Sequence, residues 1–147
     1  MVIDTSALLA ILQNEAGAPS VEAAIEKDPV RLMSAPSALE AAIVVEARYG
    51  DAGGRELDLL LHKAGIEVVA FDAEQMELAR HAYRRFGKGH HAAGLNFGDC
   101  FAYALSRRSG EPLLYVGEDF GQTDIATVTF SPDDDRRASL SGDPDED

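Results

Sequence analysis

Short apolar runs alternate along the chain with longer segments in which apolar residues recur every three or four positions. The short runs have the composition of strands and lie at residues 2–3, 30–35, 66–71, 112–116 and 125–130. Helical spacing marks the segments Pro36 to Tyr49, Ala73 to Phe86 and Phe97 to Ser109. Parallel strands need crossover connections, which helices supply, so this alternation predicts an α/β fold: a single three-layer α/β/α domain with a mostly parallel central sheet of about five strands.

The segment from Pro36 to Tyr49 carries apolar residues at helical intervals, and the pattern predicts which of them face the core. We expect the inward positions to be Leu39, Ala42, Ile43 and Ala47. The helix then packs one apolar stripe against the sheet and exposes the other side.

Charge is distributed unevenly along the chain. The net charge of -13 argues against unspecific binding to nucleic acid, yet residues 80–91 hold four of the 13 Lys and Arg residues and three of the four histidines. Residues 133–147 contain seven acids and two arginines and few apolar residues, which is typical of a segment that stays flexible. We therefore predict a folded domain over residues 1–131 and an acidic, flexible tail over residues 132–147.

Membrane and redox classes are disfavoured. The sequence has no apolar run of the length that a membrane span needs, and its first residues lack the features of a signal peptide, so we expect a cytoplasmic protein with no membrane partner. Cys100 is the single cysteine, which excludes an intrachain disulfide, and its apolar neighbours predict a small core residue.

Four acidic residues lie where predicted strands end or the following helices begin. Asp4 follows the first strand, Glu40 lies near the start of the helix after the second, Asp99 lies at the start of a helix, and Asp119 follows the run 112–116. In open α/β sheets, ligands bind outside the carboxyl ends of the strands. We therefore expect these four carboxylates to approach one another at one edge of the sheet.

Each acid also has an explanation as a helix cap. Asp4 can cap a helix that begins at Thr5, and Ser37 with Glu40 and Asn96 with Asp99 have the spacing of capping boxes. Asp119 can be a first-turn acid that the helix dipole stabilises. If all four meet at one edge, however, their repulsion requires a cation between them. Carboxylate ligands without cysteine suit Mg²⁺ or Mn²⁺, and such an ion can activate water for phosphoryl chemistry.

Four stretches together resemble PIN-domain nucleases, in particular the VapC-type ribonuclease toxins of bacterial toxin–antitoxin pairs. They are MVIDTSALLAIL, SAPSALEAAIV, FGKGHHAAGLNFGDCFAYALS and EPLLYVGEDFGQTDI, and the resemblance extends over roughly residues 1 to 130. It implies a metal-dependent endoribonuclease that uses Mg²⁺ or Mn²⁺, forms a homodimer and is inhibited by a cognate VapB-type antitoxin.

The resemblance also assigns roles to individual residues. Asp4, Asp99 and Asp119 become metal ligands and, with Glu40, the catalytic acids, while Ser6 orients the acids from behind. Many relatives have an aspartate where this chain has Gly117, and Asp124 is a weaker alternative for the fourth acid. The basic residues close in sequence to Asp99 are candidates for binding RNA phosphates: Arg84, Arg85, Lys88 and His90.

Two other classes fit parts of the pattern. A phosphatase or receiver protein also places an aspartate after its first strand and uses Mg²⁺, but a phosphatase needs a second aspartate at Ser6 and a receiver needs a lysine after a late strand. A catalytically inactive module that binds RNA or protein is the other alternative, in which the acids are only helix caps.

Overall fold

The computed structural model describes residues 1–130, and the predicted tail lies outside the described residues. Four strands and six helices follow one another in this part of the chain. In order they are β1 (Val2–Ile3), α1 (Thr5–Leu12), α2 (Ala18–Lys27), β2 (Leu32–Ser34), α3 (Ala35–Tyr49), α4 (Asp51–Lys63), β3 (Glu67–Val69), α5 (Ala73–Phe86), α6 (Phe97–Ser109) and β4 (Leu113–Leu114).

The four strands form one parallel sheet in the order β3-β2-β1-β4. Val2 of β1 lies opposite Leu32 on one side and Leu113 on the other. The sheet has four strands where the sequence predicts about five, because the run 125–130 forms no strand. It joins the sheet only through a single parallel bridge between Leu113 and Thr127, beside which the Val128 N–H donates to the Leu113 carbonyl at 2.9 Å.

Helices cover both faces of the sheet, so the predicted α/β/α layering is confirmed. Ile3 belongs to a core between the sheet and helices α1 to α4, whereas Val2 belongs to a core shared with α5 and α6. Both side chains are completely buried. Consecutive strand residues point to opposite faces, so the two residues of β1 contribute one side chain to each core.

The predicted inward face of α3 is wrong for Leu39, Ile43 and Ala47, which are exposed, whereas Ala42 is partly buried and packs against the core as predicted. Leu39 and Ile43 are 61% and 58% exposed, and the buried residues are instead Ser37, Ala41 and Val45. This helix is apolar on nearly all sides, so spacing alone does not identify the buried stripe. The result is an apolar surface on α3 that nothing in residues 1–130 covers.

None of the helices in the described range has the length and apolar character that crossing a membrane requires.

Candidate active site

Asp4 lies at the carboxyl end of β1, where it caps α1. Its carboxylate accepts hydrogen bonds from the Ser6 N–H at 3.1 Å and from the Ser6 hydroxyl at 2.6 Å, and the residue is only 5% exposed. The Ser6 hydroxyl also accepts a hydrogen bond from the Val116 N–H at 3.0 Å. Ser6 therefore connects the Asp4 carboxylate to the backbone at the end of β4, which leads to Asp119.

Asp99 lies in the first turn of α6 and is partly buried. Its carboxylate accepts a hydrogen bond from the Asn96 N–H at 3.0 Å, and the predicted capping box is present. Cys100, beside it, is buried as predicted, and burial together with the charge of Asp99 raises the pKa of its thiol to about 11. The thiol is therefore protonated near neutral pH and inert.

Glu40 does not have the capping role that its spacing with Ser37 suggested. Helix α3 begins at Ala35, so Glu40 lies in the second turn, and no side chain caps the helix start. A Cβ atom added to Gly98 would collide with the Glu40 carboxylate. The absence of a side chain at Gly98 thus lets Glu40 reach the start of α6, one residue before Asp99.

Asp119 is exposed and follows β4 in a segment of turns, so its interpretation as a first-turn helix acid is wrong. Gly117 has a φ of +111°, a conformation that favours glycine and that an aspartate at this position would rarely adopt. Phe120 is fully buried and packs edge-on against Tyr115, with 5.1 Å between ring centroids.

The four carboxylates, which we call the acidic edge, influence one another electrostatically. Burial raises the pKa of Asp4 to about 6, and the negative charges of Glu40 and Asp119 add to this effect against the hydrogen bonds from Ser6. Burial likewise raises the pKa of Asp99 to about 7, with contributions from Asp119, Asp4 and Glu40 and against the Asn96 hydrogen bond. Four segments of the chain thus bring their acids within electrostatic range of one another.

The chemistry of this edge fits a hard divalent cation. All four donors are carboxylates, and the pKa values of Asp4 and Asp99 are raised mainly by burial and further by the negative charges of the other acids. Within residues 1–130, no three His, Cys, Asp or Glu side chains surround a common point closely enough to form a metal cage. The residues therefore supply suitable ligands near one another, without the final coordination geometry.

The predicted RNA-binding residues differ in their surroundings. Arg84, Lys88 and His90 are exposed, and His90 contacts the Tyr83 ring edge-on at a centroid distance of 5.8 Å. Arg85 instead forms an ion pair with Asp124 at 3.0 Å. Arg84, Lys88 and His90 are therefore accessible to a ligand, whereas Arg85 is held in a contact within the protein.

Asp124 does not belong to the acidic edge. Its carboxylate accepts hydrogen bonds from the Tyr103 hydroxyl at 2.6 Å, from Arg85 at 3.0 Å and from Arg107 at 3.0 Å. The contacts of Tyr103 and Arg107 with Asp124 could not be predicted from the sequence, because both residues are separated from Asp124 by more than a dozen positions.

Gly98 is a further functional residue that the sequence analysis missed. Its position directly before Asp99 was a usable signal.

The fold is an α/β/α domain, and carboxylates from four segments lie near the carboxyl edge of its parallel sheet. These two features together are typical of metal-dependent nucleases. A family model of the PIN domain matches residues 1–126. The chain is 61% identical over 130 residues to ribonuclease VapC30 of Mycobacterium tuberculosis, in an alignment that covers 88% of this chain and 99% of the relative. It is also 61% identical over 128 residues to ribonuclease VapC of Mycolicibacterium smegmatis, covering 87% and 99% of the two chains. The chain therefore belongs to the PIN-domain family, and the resemblance stated from the sequence is confirmed.

Two solved structures have a similar fold. VapC20 of Mycobacterium tuberculosis, described as a toxin that cleaves the sarcin–ricin loop, superimposes with a TM-score of 0.70 at 18% identity, covering 86% of this chain and 97% of that one. A chain from a toxin–antitoxin complex of Klebsiella pneumoniae gives a TM-score of 0.66 at 15% identity, covering 87% and 95%. At this level of identity the likeness concerns the fold alone.

Proposed function

We propose that this chain is a VapC-type endoribonuclease that hydrolyses RNA phosphodiester bonds with the help of Mg²⁺ or Mn²⁺, and that it acts as the toxin of a toxin–antitoxin pair. The observation that carries the proposal is the acidic edge, where burial and mutual repulsion raise the pKa of Asp4 and of Asp99. High identity to VapC ribonucleases along nearly their whole length supports it.

Three of the carboxylates would hold the ion and one would serve the proton transfer. Asp4, Asp99 and Asp119 are the proposed ligands, and Ser6 keeps the Asp4 carboxylate oriented through its 2.6 Å hydrogen bond. When bound, the ion supplies Lewis acidity and an activated water. Glu40, exposed and placed against Gly98, is the carboxylate available to accept a proton from the attacking water.

The RNA itself requires positive charge, which the acidic edge cannot provide. Arg84, Lys88 and His90 are exposed in a chain whose net charge is -13, and they would bind phosphates on either side of the cleaved bond. Arg85 is a weaker candidate because Asp124 already holds its guanidinium.

We further propose a homodimer and inhibition by a VapB-type antitoxin, as the family resemblance implies. The apolar side chains exposed beside the acidic edge provide a surface for the second copy: Leu39, Ile43 and Phe97, of which Phe97 is 78% exposed. Its position continues this surface from α3 to the start of α6, because Phe97 precedes the Gly98 that Glu40 contacts. Substituting Leu39 and Ile43 by Ser should convert a dimer to a monomer in sedimentation, and a chain that sediments as a monomer without substitution contradicts the dimer.

The test of the proposed activity uses the full chain with end-labelled total RNA in Mg²⁺, in Mn²⁺ and in EDTA. We expect discrete cleavage products that require the ion and that disappear in the Asp4→Ala variant. Cleavage that persists in EDTA or in this variant contradicts the assignment of the acidic edge. A protein that neither binds the ion nor cleaves RNA is the inactive binding module, and formation of an aspartyl phosphate from a small phosphodonor would favour the phosphatase or receiver alternative.

A further inference from the structure

We propose that Asp124 is a positioning residue that fixes the loop carrying Asp119, and that its contacts therefore set the affinity of the acidic edge for a divalent cation. This inference rests on the proposed metal-dependent function. The Asp119 loop comprises residues 117–124, and the Asp124 cluster comprises Asp124 with Tyr103, Arg85 and Arg107.

Fixed points exist at the start, the middle and the end of the Asp119 loop. At the start, the Val116 N–H donates to the Ser6 hydroxyl at 3.0 Å. In the middle, the Phe120 side chain is buried in the core that also contains Tyr103. At the end, Asp124 binds its three partners, whereas Gly117, Glu118 and Asp119 are exposed. The position of Asp119 therefore depends on the neighbouring fixed points.

A continuous series of contacts leads from Asp124 back to Asp119. Thr123, which precedes Asp124, donates to the Phe120 carbonyl from its N–H at 3.1 Å and from its hydroxyl at 2.8 Å. Phe120 is the residue next to Asp119. A displacement of Asp124 thus acts through a short hydrogen-bonded turn on the backbone that carries the Asp119 carboxylate.

The Asp124 cluster is built to keep its carboxylate ionised and in place. Partial burial opposes ionisation, but the Tyr103 hydrogen bond and the charges of Arg107 and Arg85 lower the pKa of Asp124. Burial and the Asp124 contact raise the pKa of the Tyr103 hydroxyl to about 12, so it remains a donor near neutral pH. The Arg85 guanidinium also lies over the Phe86 ring at 4.9 Å, which restricts its orientation. With both arginines engaged here, Asp124 is unsuited to serve as a metal ligand.

Two variants separate this role from stability in general. Asp124→Asn removes the charge with little change of shape, and Tyr103→Phe removes one hydrogen bond and keeps the buried ring. The matched control is Glu74→Gln, which breaks the 2.9 Å ion pair between Glu74 and Arg108, a contact that also joins α5 to α6 but involves no residue of the loop.

The measurements are Mn²⁺ titration by calorimetry, amide hydrogen exchange of residues 117–123, and the Mn²⁺ dependence of cleavage. We expect Asp124→Asn to weaken Mn²⁺ binding about tenfold and Tyr103→Phe to weaken it less, with faster exchange in the loop. Cleavage by Asp124→Asn should return to nearly the unsubstituted rate at saturating Mn²⁺, and Glu74→Gln should leave all three readouts unchanged.

The proposal is overturned if Mn²⁺ affinity and loop exchange in both variants match those of the unsubstituted chain, or if Glu74→Gln changes them equally. Failure of the proposed function has a different signature, because the unsubstituted chain would then bind no Mn²⁺. In that case hydrogen exchange alone decides whether Asp124 fixes the loop: unchanged protection in Asp124→Asn refutes the fixing of the loop, and lost protection supports it.

Discussion

The Glu40 carboxylate lies against Gly98, in space that any larger residue at position 98 would occupy. This contact joins the second turn of α3 to the first turn of α6 and brings Glu40 beside Asp99. The absence of a side chain at one helical position thus completes the acidic edge.

Substitution of Gly98 by Ala should displace Glu40 while leaving the fold intact. Alanine favours the helix by about 0.5 to 1 kcal/mol over glycine, so stability should not fall, whereas cleavage should fall at least tenfold. A matched control exists in α4, where a Cβ on Gly54 would meet the Glu46 carboxylate at 2.5 Å, outside the acidic edge. Initial rates of RNA cleavage and melting temperatures for both variants test this, and equal loss of activity in Gly54→Ala would contradict it.

Asp99→Asn should abolish cleavage without unfolding the protein. The amide keeps an oxygen that can accept the Asn96 hydrogen bond but removes the charge needed for an ion. Circular dichroism should remain that of the unsubstituted chain, and calorimetry should detect weaker Mn²⁺ binding. Cleavage at the unsubstituted rate would remove Asp99 from the site.

Stability without metal should fall as pH rises through the pKa values of Asp4 and Asp99. Both are raised from 3.8, to about 6 and about 7, so the folded state binds protons more tightly than the unfolded state does. Their stabilising effect is complete below about pH 4 and is lost between about pH 4 and 7.

Denaturant melts in EDTA should therefore show a lower free energy of unfolding at pH 8 than at pH 5. The Asp4→Asn, Asp99→Asn double variant should flatten this dependence, and saturating Mn²⁺ should reverse it at pH 8. A stability that rises steadily from pH 5 to pH 8 in EDTA, without a change in the double variant, would contradict the raised pKa values.

Ser6→Ala should reduce the affinity for Mn²⁺ about tenfold, because it removes the hydroxyl between Asp4 and the Val116 N–H. The cost in stability should be about 1 to 3 kcal/mol, since the Val116 N–H loses its partner. Ser6→Thr, which keeps the hydroxyl, should recover most of the affinity. If Ser6→Ala and Ser6→Thr bind the ion equally well, the hydroxyl has no part in orienting Asp4.

Arg84→Gln combined with Lys88→Gln should weaken RNA binding and its dependence on salt. For single-stranded RNA, loss of two phosphate contacts lowers the slope of log affinity against log salt by about 1.4. Fluorescence anisotropy in the Asp99→Asn background measures the slope without cleavage. The control pair is Arg55→Gln with Lys63→Gln, two exposed residues on α4, and an equal change in that pair would indicate a diffuse charge effect.

The sequence predicts the acidic edge because the position of each acid relative to its own strand or helix can be recognised from neighbouring residues. Asp4 and Asp119 follow recognisable strands, and parallel strands all end at one side of a sheet, so these two acids must approach each other. Asp99 and Glu40 lie in the first and second turns of recognisable helices. The capping box at Ser37 failed for a local reason too. Helix α3 starts at Ala35, before Pro36, and this places Ser37 inside the first turn, where its hydroxyl is buried and has no hydrogen-bond partner.

Contacts between segments that are distant in the chain could not be predicted from the sequence. Leu39 and Val45 are equally apolar, and only the position of neighbouring helices decides which one is buried. The Asp124 cluster joins α5, α6 and the segment after β4. The residues near Tyr103 in the chain form no pattern that predicts its hydrogen bond to Asp124. The fifth predicted strand has strand-forming residues but forms only one bridge to β4.

Strand β1 lies inside the sheet between β2 and β4, although it is the first element of the chain. Its pairing with β4 must wait until Leu113 and Leu114 have been synthesised and have left the ribosome, because no earlier segment takes that place beside it. A nascent chain therefore holds Asp4 long before it can bring Asp119 to the same edge. The acidic edge is therefore complete only after the segment that carries Asp119 has followed β4 out of the ribosome.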